Sequence, residues 1–219
     1  MSAVSRLTAA AVAATLAFAA PAHAQVTFTG FTNGCFYTAG ACVPGKTSGN
    51  TTSTYSNLTY RSSTFDGTTS SIDGFLGLGE TPGNPNIGNL GSFTLANGTQ
   101  DYNPGSFMFR VTFTAPAGTT PGNQLFMADV MGSVTGNNGG VQIDFDNNPL
   151  MFTYTGGTFS LVLNDVSVQR SPTTGASSEV ALTGFIRTTS VVPEPSTYAL
   201  MATGLAGLGF AARRRRNNG

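Results

Sequence analysis

The chain has no tryptophan, one histidine and two cysteines in 219 residues. The histidine, His23, sits in an N-terminal stretch that reads as a removable leader. A mature chain would then contain none. That excludes a Ser-His-Asp triad, a Cys-His pair and a histidine-ligated metal centre. The missing tryptophan removes the broadest aromatic platform for a sugar ring. Charge is also scarce, at 9% of residues, and no phosphate-cradling glycine loop or basic-aromatic patch appears in the sequence.

What is present begins with the two ends. Arg6 supplies a short positive region, and Leu7 to Ala20 is an apolar, alanine-rich run. Ala22-His23-Ala24 is a small-x-small cleavage site. Residues 1–24 are therefore expected to be a signal helix for the Sec export machinery, with the mature protein starting at Gln25. The alternative is an uncleaved anchor helix, against which the short run and the clean cleavage site argue.

The other end, residues 192–219, has three parts. Val192-Pro193-Glu194-Pro195-Ser196 comes first, then an uncharged run from Thr197 to Ala212, then Arg213, Arg214, Arg215 and Arg216. At roughly 1.5 Å per residue, that run spans about 24 Å as a helix, against about 30 Å of hydrocarbon. Gly204, Gly207 and Gly209 weaken the helix further. A weak, provisional transmembrane anchor fits, with the arginines holding the cytoplasmic side. An ordinary tail anchor is the alternative, but it leaves Pro193-Glu194-Pro195 without a purpose.

This order of proline motif, apolar run and arginine cluster resembles the PEP-CTERM sorting signal of Gram-negative bacteria. The resemblance implies handling by exosortase, a membrane protease-transpeptidase, after a transient stage at the inner membrane. It implies a final place at the cell surface or in the extracellular matrix.

With Arg6 and the arginine cluster set aside, five basic residues (Lys46, Arg61, Arg110, Arg170, Arg187) face ten acids from Asp66 to Glu194, about −5 in all. The body, residues 25–191, holds all of these but Glu194 and carries about −4, which argues against nucleic acid or an anionic membrane as a partner. It shows short runs of period two between Gly, Pro and Asn. In Ser106 to Ala115, Phe107, Phe109, Val111 and Phe113 share one face, and Arg110, Thr112 and Thr114 the other. Val141 to Asp146 puts Val141, Ile143 and Phe145 inward. Further strands are expected at Val26–Phe31, Thr54–Arg61, Phe75–Leu78, Gly91–Leu95, Gln124–Val134, Met151–Thr155 and Ser178–Arg187. Thr158–Arg170 changes phase at Asn164-Asp165, which implies a bulge or turn. Nine or ten strands and no βα alternation predict an all-β fold, a single β-sandwich of jelly-roll kind. Residues 43–53 and 79–89 read as long loops, and 188–196 as a stalk.

Short stretches of the body, including Phe75-Leu-Gly-Leu78, Ile87-Gly-Asn-Leu-Gly-Ser-Phe93 and Phe109-Arg-Val-Thr-Phe-Thr-Ala-Pro116, resemble bacterial choice-of-anchor ectodomains of the K type. That resemblance implies a β-rich surface domain and no particular activity.

Three side-chain groups remain. Cys35 and Cys42, an even pair in an exported chain, point to a disulfide and make a poor zinc site without histidine. Asp144 and Asp146 share a strand face at i and i+2. That spacing suits a glycosidase carboxyl pair or, with Asn147 or Asn148, a calcium site; a solvated face running into a turn accounts for it as well. Tyr37, Tyr55, Tyr60, Tyr102 and Tyr154 are the available sugar platforms. No cofactor is called for, with calcium the one open case. The sequence is thus read as a non-enzymatic structural or adhesive protein of exopolysaccharide or biofilm. The alternatives are a carbohydrate-binding module and a glycan-active enzyme working through carboxylates alone.

Overall fold

Alternation along the strands sets which side chains meet. In β8 (Gly105–Ala115), Phe107, Phe109, Val111 and Phe113 are buried, as their period predicts. In β10 (Asn138–Phe145), Val141, Ile143 and Phe145 are buried while Gln142 is exposed. The computed structural model describes residues 24–37, 42–49, 51–79, 90–103, 105–170, 177–189 and 195–217. The leader through His23, most of the 79–89 loop, and Val192, Pro193 and Glu194 lie outside the described residues.

The chain divides into two units. One is Gln25–Ser190, a two-layer β-sandwich; the other comprises the chain ends. The first layer is a seven-stranded sheet in the order β13-β10-β9-β8-β1-β4, with β7 also paired to β9. Its remaining strands are β1 (Thr27–Tyr37), β4 (Thr64–Thr68), β7 (Gly98–Asp101), β9 (Asn123–Gly136) and β13 (Val166–Gln169). All pairings in it are antiparallel.

Two four-stranded sheets provide the facing layer. One runs β14 (Ser178–Ala181), β6 (Ser92–Leu95), β3 (Leu58–Arg61), β2 (Thr52–Tyr55). The other runs β11 (Leu150–Tyr154), β12 (Gly157–Leu163), β15 (Gly184–Thr188), β5 (Phe75–Leu78). Phenylalanine fills the space between layers. Phe107 of the large sheet meets Tyr60 and Phe93 of the first small sheet at ring distances of 5.0 and 5.1 Å. Phe113 meets Phe152 and Phe159 of the second at 5.1 and 5.0 Å. Gly34 has no room for a side chain, because an added Cβ would sit 2.8 Å from the Tyr60 ring and against Phe107.

The strand count exceeds expectation, with fifteen among the described residues. Thr54–Arg61 is not one strand but the hairpin β2–β3, turned at Ser56 with φ +57°. β4 and β7, short and rich in Thr, Gly and Asp, carry too little apolar alternation to be seen in the sequence. The phase shift at Asn164-Asp165 proves larger than a bulge: β12 and β13 lie in different sheets. Ser178–Arg187 likewise splits at Leu182-Thr183, and β14 and β15 join different sheets. The two breaks are bonded to each other, since the Asn164 backbone N–H donates to the Thr183 carbonyl at 3.0 Å. Its side-chain amide donates to the Thr183 hydroxyl at 2.8 Å. Leu182 exchanges backbone hydrogen bonds with Leu90 and Gly91, so a buried corner stays satisfied.

The second unit contains the helix α1 (Pro195–Asn217). A helix was expected there and forms, with Pro195 at its first position, where a missing N–H costs nothing. Its spanning role is another matter. Among the described residues no helix is long and apolar enough to cross a membrane. The short run, the three glycines and the arginines account for that.

Candidate functional site

Two places carry the sequence-derived site residues: the tail, and the outer face of the seven-stranded sheet. In the tail, Pro195 and Ser196 begin α1, and Val192, Pro193 and Glu194 lie outside the described residues. Leu200, Met201, Leu205 and Leu208 are all more than half exposed. Arg213 and Arg214 are exposed in the last turns, and Arg215 and Arg216 continue the helix to Asn217. Positive charge there suits the negative end of the helix dipole. No acidic residue occupies the first turn.

On the body, Cys35 of β1 is disulfide-bonded to Cys42, with the Cα atoms 6.0 Å apart. Asp144 stands on β10 opposite Asp129 of β9. Asp146 lies past the end of that strand, and its carboxylate accepts hydrogen bonds from the backbone and side-chain nitrogens of Asn148. This is the turn-forming role open to an Asx residue. The two acids therefore do not share a strand face. Asp165 is occupied in a similar way, accepting from the Phe145 backbone N–H at 2.9 Å and from Asn147. Among the described residues no group of three or more His, Cys, Asp or Glu side chains is placed to hold a metal ion. Of the signal-cleavage residues, Ala22 lies outside the described residues, while Ala24 and Gln25 precede β1.

The five tyrosines separate by depth. Tyr60 and Tyr102 are fully buried, and Tyr37 is half exposed. Burial pushes the Tyr60 hydroxyl well above its usual range, only partly offset by its hydrogen bond to Thr32. Burial likewise pushes Tyr102 up to about 12. These are core groups held neutral, not acids poised for chemistry.

Two residues on the outer face escape sequence reasoning. Asn33 and Arg110 face each other across β1 and β8, and both are buried, although they point away from the core. The segment Cys42–Gly49 covers them. Arg110 Nε donates to the Pro44 carbonyl at 3.0 Å. Asn33 Nδ2 donates to Gly45 at 3.1 Å and Thr47 at 3.0 Å. Alternation placed Arg110 on the outer face, but nothing local signals that a loop lies over it.

Comparison with known proteins assigns the tail. The family model described as PEP-CTERM protein-sorting motif matches residues 191–216. No curated protein and no solved structure matches the chain. The matched segment contains the proline motif, the apolar helix and the arginine cluster. The chain therefore carries a PEP-CTERM protein-sorting motif at residues 191–216, which supports export and sorting by exosortase.

Proposed function

We propose that the sandwich is a structural or adhesive component of an extracellular polysaccharide matrix. The observation that supports this is the chemistry of its exposed strand faces. Threonine hydroxyls pair across strands at Thr27–Thr68 (2.9 Å), Thr29–Thr114 (2.8 Å) and Thr54–Thr59 (3.1 Å). Such faces offer hydroxyl donors and acceptors with little charge, a surface that exchanges hydrogen bonds with hydrated glycan at small desolvation cost. In this reading the host is Gram-negative and the tail is held briefly at the inner membrane before exosortase acts. Co-sedimentation of the purified body with the host's exopolysaccharide tests it. Binding that falls when Thr27, Thr29 and Thr114 become Glu is expected; no sedimentation with any matrix fraction would remove the reading.

A carbohydrate-binding module is the second reading, and the half-exposed Tyr37 is the side chain that favours it. Glycan-array binding lost in Tyr37→Ala would support it. We read the body as non-enzymatic, in keeping with the turn role of Asp146. Glycan turnover abolished by Asp144→Asn with Asp146→Asn would reverse that.

A further inference from the structure

We propose that Cys42–Gly49 is a redox-set strap: the Cys35–Cys42 disulfide holds it closed over the Asn33–Arg110 pair, and reduction opens it while the sandwich stays folded. The strap meets the sheet mainly through its own carbonyls. Arg110 takes Pro44; Asn33 takes Gly45 and Thr47; Ser62 Oγ takes Gly49 at 2.7 Å. Thr51 Oγ1 donates to Asn33 Oδ1 at 2.8 Å, which fixes the amide so that its nitrogen faces the strap.

What the strap covers decides how firmly it stays down. Pro44 is its one buried residue, and Val43 and Lys46 are exposed. Apart from the Pro44 ring, the strap is held by hydrogen bonds to its carbonyls. Opening exchanges protein hydrogen bonds for hydrogen bonds to water, a small net loss for each. Little apolar area is uncovered to hold the strap back. By contrast, the inner faces of β1 and β8 are locked by phenylalanine packing. A segment so held belongs to the low-stability end of the molecule, and the covalent tie at Cys42 sets its opening.

The chemistry balances simply. Closing removes two electrons and two protons from the two thiols and needs a disulfide oxidant, as an export compartment supplies. Opening transfers two electrons and two protons from a dithiol, which itself becomes a cyclic disulfide. The open form uncovers a guanidinium on an otherwise acidic body.

Lys46, the chain's only lysine, sits in the middle of the strap and makes the test direct. The full mature protein is digested with a lysine-specific protease, with and without dithiothreitol. In parallel, a glutamate-specific protease reports cleavage at Glu179 in β14. Reduction should speed cleavage after Lys46 by about tenfold or more, while Glu179 keeps its rate. An unchanged Lys46 rate would overturn the proposal. So would parallel acceleration at both sites, which would make the disulfide a global staple. Asn33→Ala with Arg110→Gln, kept oxidised, should remain slow at Lys46. If it cleaves as fast as the reduced native protein, the hydrogen bonds and not the disulfide hold the strap.

Discussion

The sandwich and the tail are built on opposite terms. In Gln25–Ser190, phenylalanine rings from both layers interlock, and among the described residues the buried core belongs to that unit. In Pro195–Asn217, leucine and methionine side chains are exposed, and the glycines at 204, 207 and 209 have open space where a Cβ would sit. The body's order comes from contacts distant in sequence. The tail's identity comes from residues adjacent in sequence. This is why a sorting motif of 26 residues announces itself while the larger domain does not declare its role.

The largest expected effect tests that division directly. Replacing Pro193, Glu194 and Pro195 with Ala should abolish exosortase-dependent loss of the tail, read as intact mass in hosts with and without the enzyme. The near-ultraviolet spectrum of the sandwich should persist, since its core is drawn from its own residues. Processing that continues unchanged would break the comparison.

The converse substitution is Phe107→Ala. It should cost about 3–5 kcal/mol in denaturant unfolding, because the ring contacts both Tyr60 and Phe93 and leaves a cavity. Export competence of the tail motif should survive wherever the chain still folds. Cys35→Ser with Cys42→Ser comes next: it should cost well below the roughly 2–3 kcal/mol that a loop constraint of this size contributes to a whole fold, because the strap opens without the sandwich. A loss of the full amount in denaturant unfolding would make the disulfide a staple of the whole body.

A smaller, directional effect follows from Tyr102. Its folded-state pKa is raised, to about 12, mainly by burial. Its stabilising contribution is thus complete below the ordinary tyrosine range, near pH 10, and is lost as pH rises toward 12. Tyr60, shifted in the same direction, adds to the trend. Unfolding midpoints measured from pH 8 to 12 should decline only above about pH 10. Smallest of all, Arg213→Ala and Arg214→Ala should leave the sandwich's melting temperature within error and show themselves only in tail orientation or processing.

Much of the sandwich was legible strand by strand. Phe107, Phe109, Val111 and Phe113 declared their face, as did Val141, Ile143 and Phe145. The hairpin at Ser56 was missed because Thr, Ser, Tyr and Asn alternate without apolar contrast. Asp144 and Asp146 looked like a pair because both were assigned to one regular strand. The strand ends at Phe145, and the Asn148 amide takes Asp146 into a turn. Cys35 and Cys42 were read correctly as a disulfide, yet the purpose of their loop was not visible. Asn33, which grips that loop, lies just before Cys35, but its partner Arg110 is 66 residues from Pro44 in the chain.

By itself the sequence determined the sorting motif in the tail, the all-β class and the inward face of each well-patterned strand. These depend on neighbours a few residues apart, and a period of two or a short motif records them in order. Only the tertiary structure decided that Thr158–Arg170 and Ser178–Arg187 each change sheets, that Asp146 caps a turn, and that a strap buries Arg110. Those outcomes depend on which backbone groups meet across long separations. A backbone hydrogen bond is the same for every residue type but proline, so the choice of partner leaves no mark in the sequence.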